Sequence, residues 1–549
     1  MAKPSRLSQE TINEYLKKGL WETTTWGDIW DRNAKLYPNR EALVDRKSRL
    51  TWRQAKQWID RVALGFLELG IKKDDAIVFQ LPNWVELAML RVACEKAGAV
   101  CCPILRTMRE KDVEYILGYL EAVGIVIPWR LGERDYFEMI QSLRPKLPAL
   151  KYVFIVGDDV PEGAISLKEM SLKPLEKKYP ADYLKQTDMP ATEVSVVMLT
   201  SGTTGFPKFV EHPIAARVAV AKGRAELHKY TKDDVFAALS PTGGGPSNNS
   251  YLVAPFVGAK SIWLETFDPE EALKLMEKEK VNYPGAVPAQ FLMIVNHPDF
   301  DKYDLSAVRE IPFEAAPSTG EVKNKVAEKF HWCHMTAAYG AVDFGGTCEP
   351  SPDDPPEVTW NTVGKPLAGT QIKLVDGEGR EVPKGEIGEV MGAGPTCSSG
   401  YYKDPEATWQ AWSKDGWFKF GDLGRWDEQG NLVLVGRSKD MIIRGGQNIY
   451  PKELENLLIT HPQVADVAVV AMPDPVLHEK ACAYVVPKPG QTFTFDEMTR
   501  FLRGKQITSF KLPERLEIVA RLPMTDVHKV DKKVLQADIA NKLKAEAKK

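Results

Sequence analysis

Short apolar runs alternate with stretches whose apolar residues recur every three to four positions. Thr51 and Gln54 have the spacing of a capping box, in which each side chain satisfies a backbone N–H of the other. Ile59, Val62, Ala63, Phe66 and Leu67 then follow at helical spacing until Gly70 ends the run. Ala76 to Gln80 reads as a short buried strand, and Asn83 is placed to cap a helix that ends near Gly98. Val194 to Met198 is another apolar run. This β-α-β-α order predicts an α/β fold of parallel-rich sheets covered by helices, and no repeat of 20–50 residues interrupts it.

The pattern changes after about residue 365. Gln371 to Val375, Glu389 to Met391 and Asn431 to Val435 are short strands separated by Gly and Asp turns, which predicts a smaller β-rich subdomain. From Asp440 onward the elements are those of a compact α+β unit. Its Lys-rich end, Asn541 to Lys549, reads as a fraying helix terminus.

A chain of 549 residues is long enough for two to four domains and a large core without disulfide staples. Seventy-two Lys and Arg against seventy-five Asp and Glu leave a formal charge of −3, so bulk charge does not indicate a nucleic-acid partner. The seven cysteines contain no C-x-x-C pair, which favours a reducing compartment over a thiolate zinc site. Met1 to Leu20 lacks an apolar signal-peptide core and no 18-residue apolar run occurs, so a cytoplasmic protein without a membrane span is expected. His331, Cys333 and His334 are only three candidate metal ligands beside a strand, and packing and surface roles are the favoured reading.

The strongest chemical signal is Leu199-Thr-Ser-Gly-Thr-Thr-Gly-Phe-Pro-Lys208, directly after the apolar run 194–198. Small residues let backbone N–H groups approach an anion, hydroxyls add donors, and Lys208 adds a point charge. Such a loop suits a polyphosphate, but its spacing is not that of the Walker A loop.

Ser201 to Lys208 resembles the signature loop of the AMP-forming adenylating enzymes, which include acyl-CoA synthetases, peptide-synthetase adenylation domains and beetle luciferases. Tyr339-Gly340-Ala341-Val342-Asp343, Gly421-Asp422-Leu423-Gly424, Gly436-Arg437-Ser438-Lys439-Asp440, Pro451 to Glu455 and Lys529 resemble further motifs of that family, in its order. The resemblance implies a large N-terminal ATP- and acyl-binding domain, 1–438, with the β-rich part at about 365–438. A lid, 439–549, would turn about a hinge at Lys439. It implies that a carboxylic acid attacks ATP to give an acyl-adenylate and pyrophosphate, after which the thiol of coenzyme A displaces AMP. The reaction is reversible in principle. Small-molecule acid, ATP, Mg²⁺ and coenzyme A are the implied partners.

By the same resemblance Thr200, Ser201, Gly202, Thr203, Thr204, Gly205 and Lys208 would hold the phosphates. Asp343 stands where the family usually has Glu and, with Thr204, would hold Mg²⁺, while Val342 lacks the hydroxyl many relatives place at the α-phosphate. Adenine would lie between Tyr339, followed by Gly340 and Ala341, and the backbone of Ala315-Ala316-Pro317. Asp422 would accept from the ribose hydroxyls and Arg437 would touch ribose or phosphate. Lys529 would bridge carboxylate and α-phosphate; His528 beside it replaces the usual glycine and could also meet phosphate. Gly445 and Gly446 would leave passage for a pantetheine arm, with Arg444 and Lys452 either meeting the phosphates of coenzyme A or forming a solvated face.

Gly243, Gly244 and Gly245 lie in Leu239 to Tyr251, where the family's aryl-acid ligases carry polar groups toward the acyl pocket. They favour an unsubstituted cyclic acid, aromatic or alicyclic, or a medium-chain acid. Two other readings stay open at this point: an adenylating enzyme that loads the phosphopantetheine of a carrier protein, and a nucleotide-binding sensor without catalysis.

Overall fold

The computed structural model describes residues 6–200, 207–241, 245–313, 320–445, 447–524 and 530–546. Seven strands form the first sheet, in the spatial order Lys208–Pro213, Val194–Thr200, Val100–Pro103, Ala76–Phe79, Gly124–Pro128, Tyr152–Val156 and Ile165–Ser166. Every pair is parallel except the first two strands, which form an antiparallel pair with Thr200 opposite Lys208. Five strands form a second sheet, Tyr283–Gly285, Val235–Ala238, Lys260–Trp263, Glu41–Val44 and Arg49–Thr51, parallel apart from the last pair. Buried residues of both sheets, among them Ile77, Val197, Leu43 and Trp263, belong to one continuous core.

The capping box of Thr51 and Gln54 is formed and opens the helix Trp52–Glu68, whose Ile59, Val62, Ala63 and Phe66 are fully buried. Asn83 does something other than capping. The helix Val85–Lys96 starts at Trp84 without a side-chain cap, and Asp45 Oδ2, in the turn after strand Glu41–Val44, accepts the Val85 N–H. Asn83 Nδ2 instead donates to the carbonyls of Ala238 and Ser240, tying the two sheets together. The local spacing suited a cap, but a tertiary partner took the side chain.

The β-rich part is a four-stranded antiparallel sheet, Gln371–Val375, Gly388–Ala393, Phe418–Trp426 and Leu432–Arg437. The chain turns at Ser438–Asp440 and enters a separate sheet built from Ile442–Arg444, Gln447–Ile449, Val464–Asp474, His478–Pro487 and Arg515–Ile518. Alternation along the two long strands gives this sheet two apolar faces. Val467, Val469, Ala481 and Ala483 meet Leu454, Leu458, Met498 and Leu502, while Ala468, Val470, Cys482 and Tyr484 meet Leu535 and Ile539. The last helix, Lys532–Glu546, continues past Asn541, and Arg515 holds Glu546 through two contacts of 2.8 and 2.7 Å. All seven cysteines are free thiols, and Cys333 alone is not fully buried. Among the described residues no helix is long and apolar enough to cross a membrane.

Candidate active site

Strand Val194–Thr200 delivers the chain into the hydroxyl- and glycine-rich loop and strand Lys208–Pro213 takes it away. Ser201, Gly202, Thr203, Thr204 and Gly205 themselves lie outside the described residues. Just beyond them, Lys208 Nζ sits 4.5 Å from the centroid of the Tyr401 ring. The Tyr401 hydroxyl donates to Asp343 Oδ1 at 2.6 Å, and Ser398 Oγ donates to the Asp343 carbonyl. Burial raises the Asp343 pKa above the usual carboxylate range, against the opposing pull of Tyr401, Lys208 and Thr200. Thr200, Lys208 and Asp343 are therefore gathered at one place. Tyr401 joins them although sequence reasoning missed it; its only local sign is an aromatic pair, Tyr401 and Tyr402, directly after Gly400.

Asp343 ends the segment that begins at Tyr339. Residues Tyr339–Ala341 form a strand against Gly345–Glu349, and a Cβ on Gly340 would lie 2.3 Å from the Gly345 carbonyl oxygen, so only glycine fits there. Tyr339 is buried against Phe420, ring centroids 5.1 Å apart, and donates its hydroxyl to Asp422 Oδ2 at 2.7 Å. Burial, then the Asp422 charge, pushes the Tyr339 pKa well up, so the phenol keeps its proton. Asp422 follows Gly421, whose φ is +68°, and faces Arg437 across the antiparallel pair. Arg437 Nε lies 2.7 Å from Asp422 Oδ1, with the arginine side chain half exposed. Ala341 is partly buried beside these groups, and Ala315, Ala316 and Pro317 lie outside the described residues.

Of the three glycines proposed for the acyl pocket, Gly243 and Gly244 lie outside the described residues. Gly245 has φ +76° and opens the turn Gly245–Ser247. Ser247 Oγ donates to the Ser240 carbonyl at 2.8 Å, closing this segment on itself. A cavity of about 10 Å³ lies just beyond, bordered by Asn249, Ser250, Tyr230, Tyr283 and Glu310.

In the C-terminal part, Gly445 has φ +55° and donates its N–H to the Leu477 carbonyl at 2.8 Å. Gly446, His528 and Lys529 lie outside the described residues. Lys439 is in the turn that joins the two sheets. Arg444 pairs with Glu514 at 2.9 Å. Lys452 is partly buried, and burial, then the neighbouring Lys532 charge, lowers its pKa against the pull of Glu455, so it is not a fully solvated surface cation. Cys333 donates its thiol to the Val308 carbonyl at 3.2 Å, and His331 packs edge-on to Trp332, consistent with packing roles for this cluster.

The profile of the family described as AMP-binding enzyme matches residues 30–402, and that of the AMP-binding enzyme C-terminal domain matches 453–529. The chain belongs to the AMP-binding enzyme family. The enzyme is 32% identical over 547 residues to a medium-chain fatty-acid–CoA ligase of Escherichia coli, covering 97% of this chain and 94% of that protein. It is 30% identical to a 2,3-dihydroxybenzoate-AMP ligase of Bacillus subtilis, with 98% of each chain covered. Among solved structures, ATP-bound MatB from Rhodopseudomonas palustris matches with a TM-score of 0.82 at 25% identity, covering 94% of this chain and 99% of that one. The enzyme is accordingly an ATP-dependent, acid-adenylating acid–thiol ligase.

Proposed function

We propose that the enzyme makes coenzyme A thioesters of an unsubstituted cyclic or medium-chain carboxylic acid in the cytoplasm. The observation that carries this reading is one continuous line of contacts among residues far apart in sequence. It runs from Lys208 to Tyr401 to Asp343, back along the chain to Tyr339, and on to Asp422 and Arg437. An anion-binding end and a carboxylate-bearing end, joined by a buried aromatic, match the phosphate, ribose and base of a nucleotide.

In this reading the acid's carboxylate oxygen bonds to the α-phosphorus of ATP and the bond to pyrophosphate breaks. Thr200 to Gly205 and Lys208 offset the phosphate charge, and Lys529 holds the two reacting anions together. Tyr339 and Gly340–Ala341, with Ala315 to Pro317, receive adenine, while Asp422 and Arg437 receive ribose. The thiolate of coenzyme A then attacks the acyl carbon and AMP leaves with the bonding electrons. Asp343 and Thr204 would hold Mg²⁺, and the fit rests on Asp343: a carboxyl that burial makes reluctant to ionise gains from a nearby cation. That ion would supply positive charge against the phosphates.

The two parts, 1–438 and 439–549, pivot at Lys439 in this reading, since the strand ending at Arg437 belongs to one sheet and that starting at Ile442 to the other. Gly445 and Gly446 then line the thiol's passage. Free thiols throughout support the reducing compartment. Likeness to a medium-chain fatty-acid–CoA ligase supports an apolar acid and likeness to a 2,3-dihydroxybenzoate-AMP ligase supports a ring, while Gly243, Gly244 and Gly245 leave no side chain to meet ring hydroxyls.

The test is AMP formation from ATP with free coenzyme A over a panel of aromatic, alicyclic and linear acids. Thioester formation on a cyclic or medium-chain acid supports the proposal. Adenylation without transfer to free coenzyme A would instead point to a carrier-protein thiol as acceptor.

A further inference from the structure

A second cavity, of about 30 Å³, lies in the core of the large domain, away from the nucleotide residues. Arg91, Glu95, Arg217 and Tyr251 supply its polar wall, and Trp26 and Trp30 close the apolar side. Arg91 and Arg217 come from the helices Val85–Lys96 and Ile214–His228, where a charged residue would ordinarily face water.

Both guanidiniums converge on one phenol. Arg217 is 5% exposed and its Nη2 donates to the Tyr251 hydroxyl oxygen at 3.2 Å. The Arg91 guanidinium carbon lies 4.0 Å from the Tyr251 ring centroid, and its Nη2 is buried without a hydrogen-bond partner. Tyr251 donates its own hydroxyl hydrogen bond to Asn248 Oδ1. Among the described residues neither arginine pairs with a carboxylate.

Glu95 is the one carboxyl on the wall, and it is turned elsewhere. It accepts the Gly27 N–H at 3.0 Å. Burial, then the Asp188 charge, pushes its pKa well above the carboxylate range, which weakens it as a counter-charge. His212 nearby reports the same field: burial, then Arg217 and Arg91, hold its pKa well below the ordinary value. Two positive charges thus share a low-dielectric space with no carboxylate paired to either among the described residues, an arrangement that is costly unless something anionic completes it.

We propose that this cavity binds one small monovalent anion of halide size between Arg91 and Arg217. The room decides the class: about 10–15 Å³ of such space holds one water, so 30 Å³ suits a chloride or bromide ion and excludes an acyl chain. The ion fixes Tyr251, and through it Asn248, three residues beyond Gly245 in the segment proposed to border the acyl pocket. The site is independent of which acid or thiol the enzyme uses.

The probe is bromide. The full-length protein is held at constant ionic strength while sodium gluconate is replaced stepwise by sodium bromide, and its thermal midpoint is followed. A saturable rise is expected, because a ligand that binds only the folded state stabilises it by mass action. Crystals soaked in sodium bromide should show an anomalous bromine peak between the two guanidiniums. Arg91→Met, at the less buried position, should weaken the apparent bromide affinity by about tenfold or more, and Arg217→Met should abolish the rise. Tyr251→Phe keeps both cations and should keep the peak. Should Arg217→Met fail to fold, the parent crystal and Arg91→Met decide alone. A parent crystal with no bromine in the cavity, or an Arg91→Met response equal to the parent's, overturns the proposal.

Discussion

The Tyr339 hydroxyl lies 2.7 Å from Asp422 Oδ2, a bond across 83 residues of sequence. It joins the strand that leads into the Asp343 turn to the strand that carries Asp422, and Arg437 holds the other carboxylate oxygen. The carboxylate proposed for ribose is thus oriented before any nucleotide arrives. Tyr339→Phe keeps the ring but removes this bond, worth about 1.5–3 kcal/mol for a charged acceptor. The expected result is a KM for ATP raised about tenfold with kcat little changed, read from initial rates of AMP formation. An unchanged KM would show that the bond plays no part in nucleotide binding.

Lys529→Ala should lose adenylate formation by about a hundredfold or more while largely keeping thioester formation from preformed acyl-adenylate. The reason is that, in the proposed function, this cation serves only the step in which two anions meet. Comparing acid-dependent pyrophosphate exchange with thioester formation in the same preparation separates the steps. Equal losses in both would remove the assigned role.

Gly446→Leu should do the reverse. A branched side chain beside Gly445 would obstruct the passage proposed for the thiol, so thioester formation should fall while pyrophosphate exchange persists. Normal turnover with coenzyme A would place the thiol's entry elsewhere.

His228 bears on stability and pH. Its Nδ1 lies 3.0 Å from Glu310 and its Nε2 3.1 Å from Glu349, all three buried, with Arg224 also on Glu349. Burial alone would lower the imidazole pKa, but the two carboxylates override it and hold it at about 10. A raised pKa contributes stability that is fully present below the unfolded value of about 6.5 and is lost as pH rises through about 10. Glu310 and Glu349 have lowered pKa values despite burial, so their share is lost instead on acidification. His228→Gln leaves two buried carboxylates short of a counter-charge, at a cost of about 3–5 kcal/mol. Urea midpoints should differ strongly from the parent at pH 7 and converge toward pH 10. A constant gap across that range would mean that His228 acts by packing alone.

Selectivity should follow the glycines. Burying a ring hydroxyl without a partner costs about 1–3 kcal/mol, or about ten- to a hundredfold in kcat/KM. A six-membered-ring carboxylate should therefore be a better substrate than its dihydroxy analogue, and Gly244→His should depress turnover of the ring acid. A parent that prefers the dihydroxy acid would show that these glycines do not line the pocket.

Where pattern and chemistry were local, the sequence was legible. The capping box at Thr51, the strand before the phosphate loop and the antiparallel strands after residue 365 all follow from nearest neighbours and are found. The family motifs likewise single out Tyr339, Asp343, Asp422 and Arg437, and the structure puts Tyr339, Asp422 and Arg437 in direct contact. What escaped notice depends on partners distant in sequence. Asn83 has a capping residue's position but spends its amide on Ala238 and Ser240. Arg91, Arg217 and His228 sit in helices where charge suggests a solvated face, and only the packed fold shows that their charges are inside. Tyr401 reaches Asp343 across 58 residues, a distance no periodicity spans.

The distribution of thiols has a practical consequence for watching the enzyme move. Six of the seven cysteines are shut in the core, and burial pushes even the partly open Cys333 up to about 12, so it is a sluggish nucleophile. Fresh cysteines introduced on the surfaces of 1–438 and 439–549 would then react with maleimide dyes well ahead of the native ones. A doubly labelled enzyme could test by energy transfer whether the two parts turn at Lys439 as proposed, without first stripping the protein of its own sulfur.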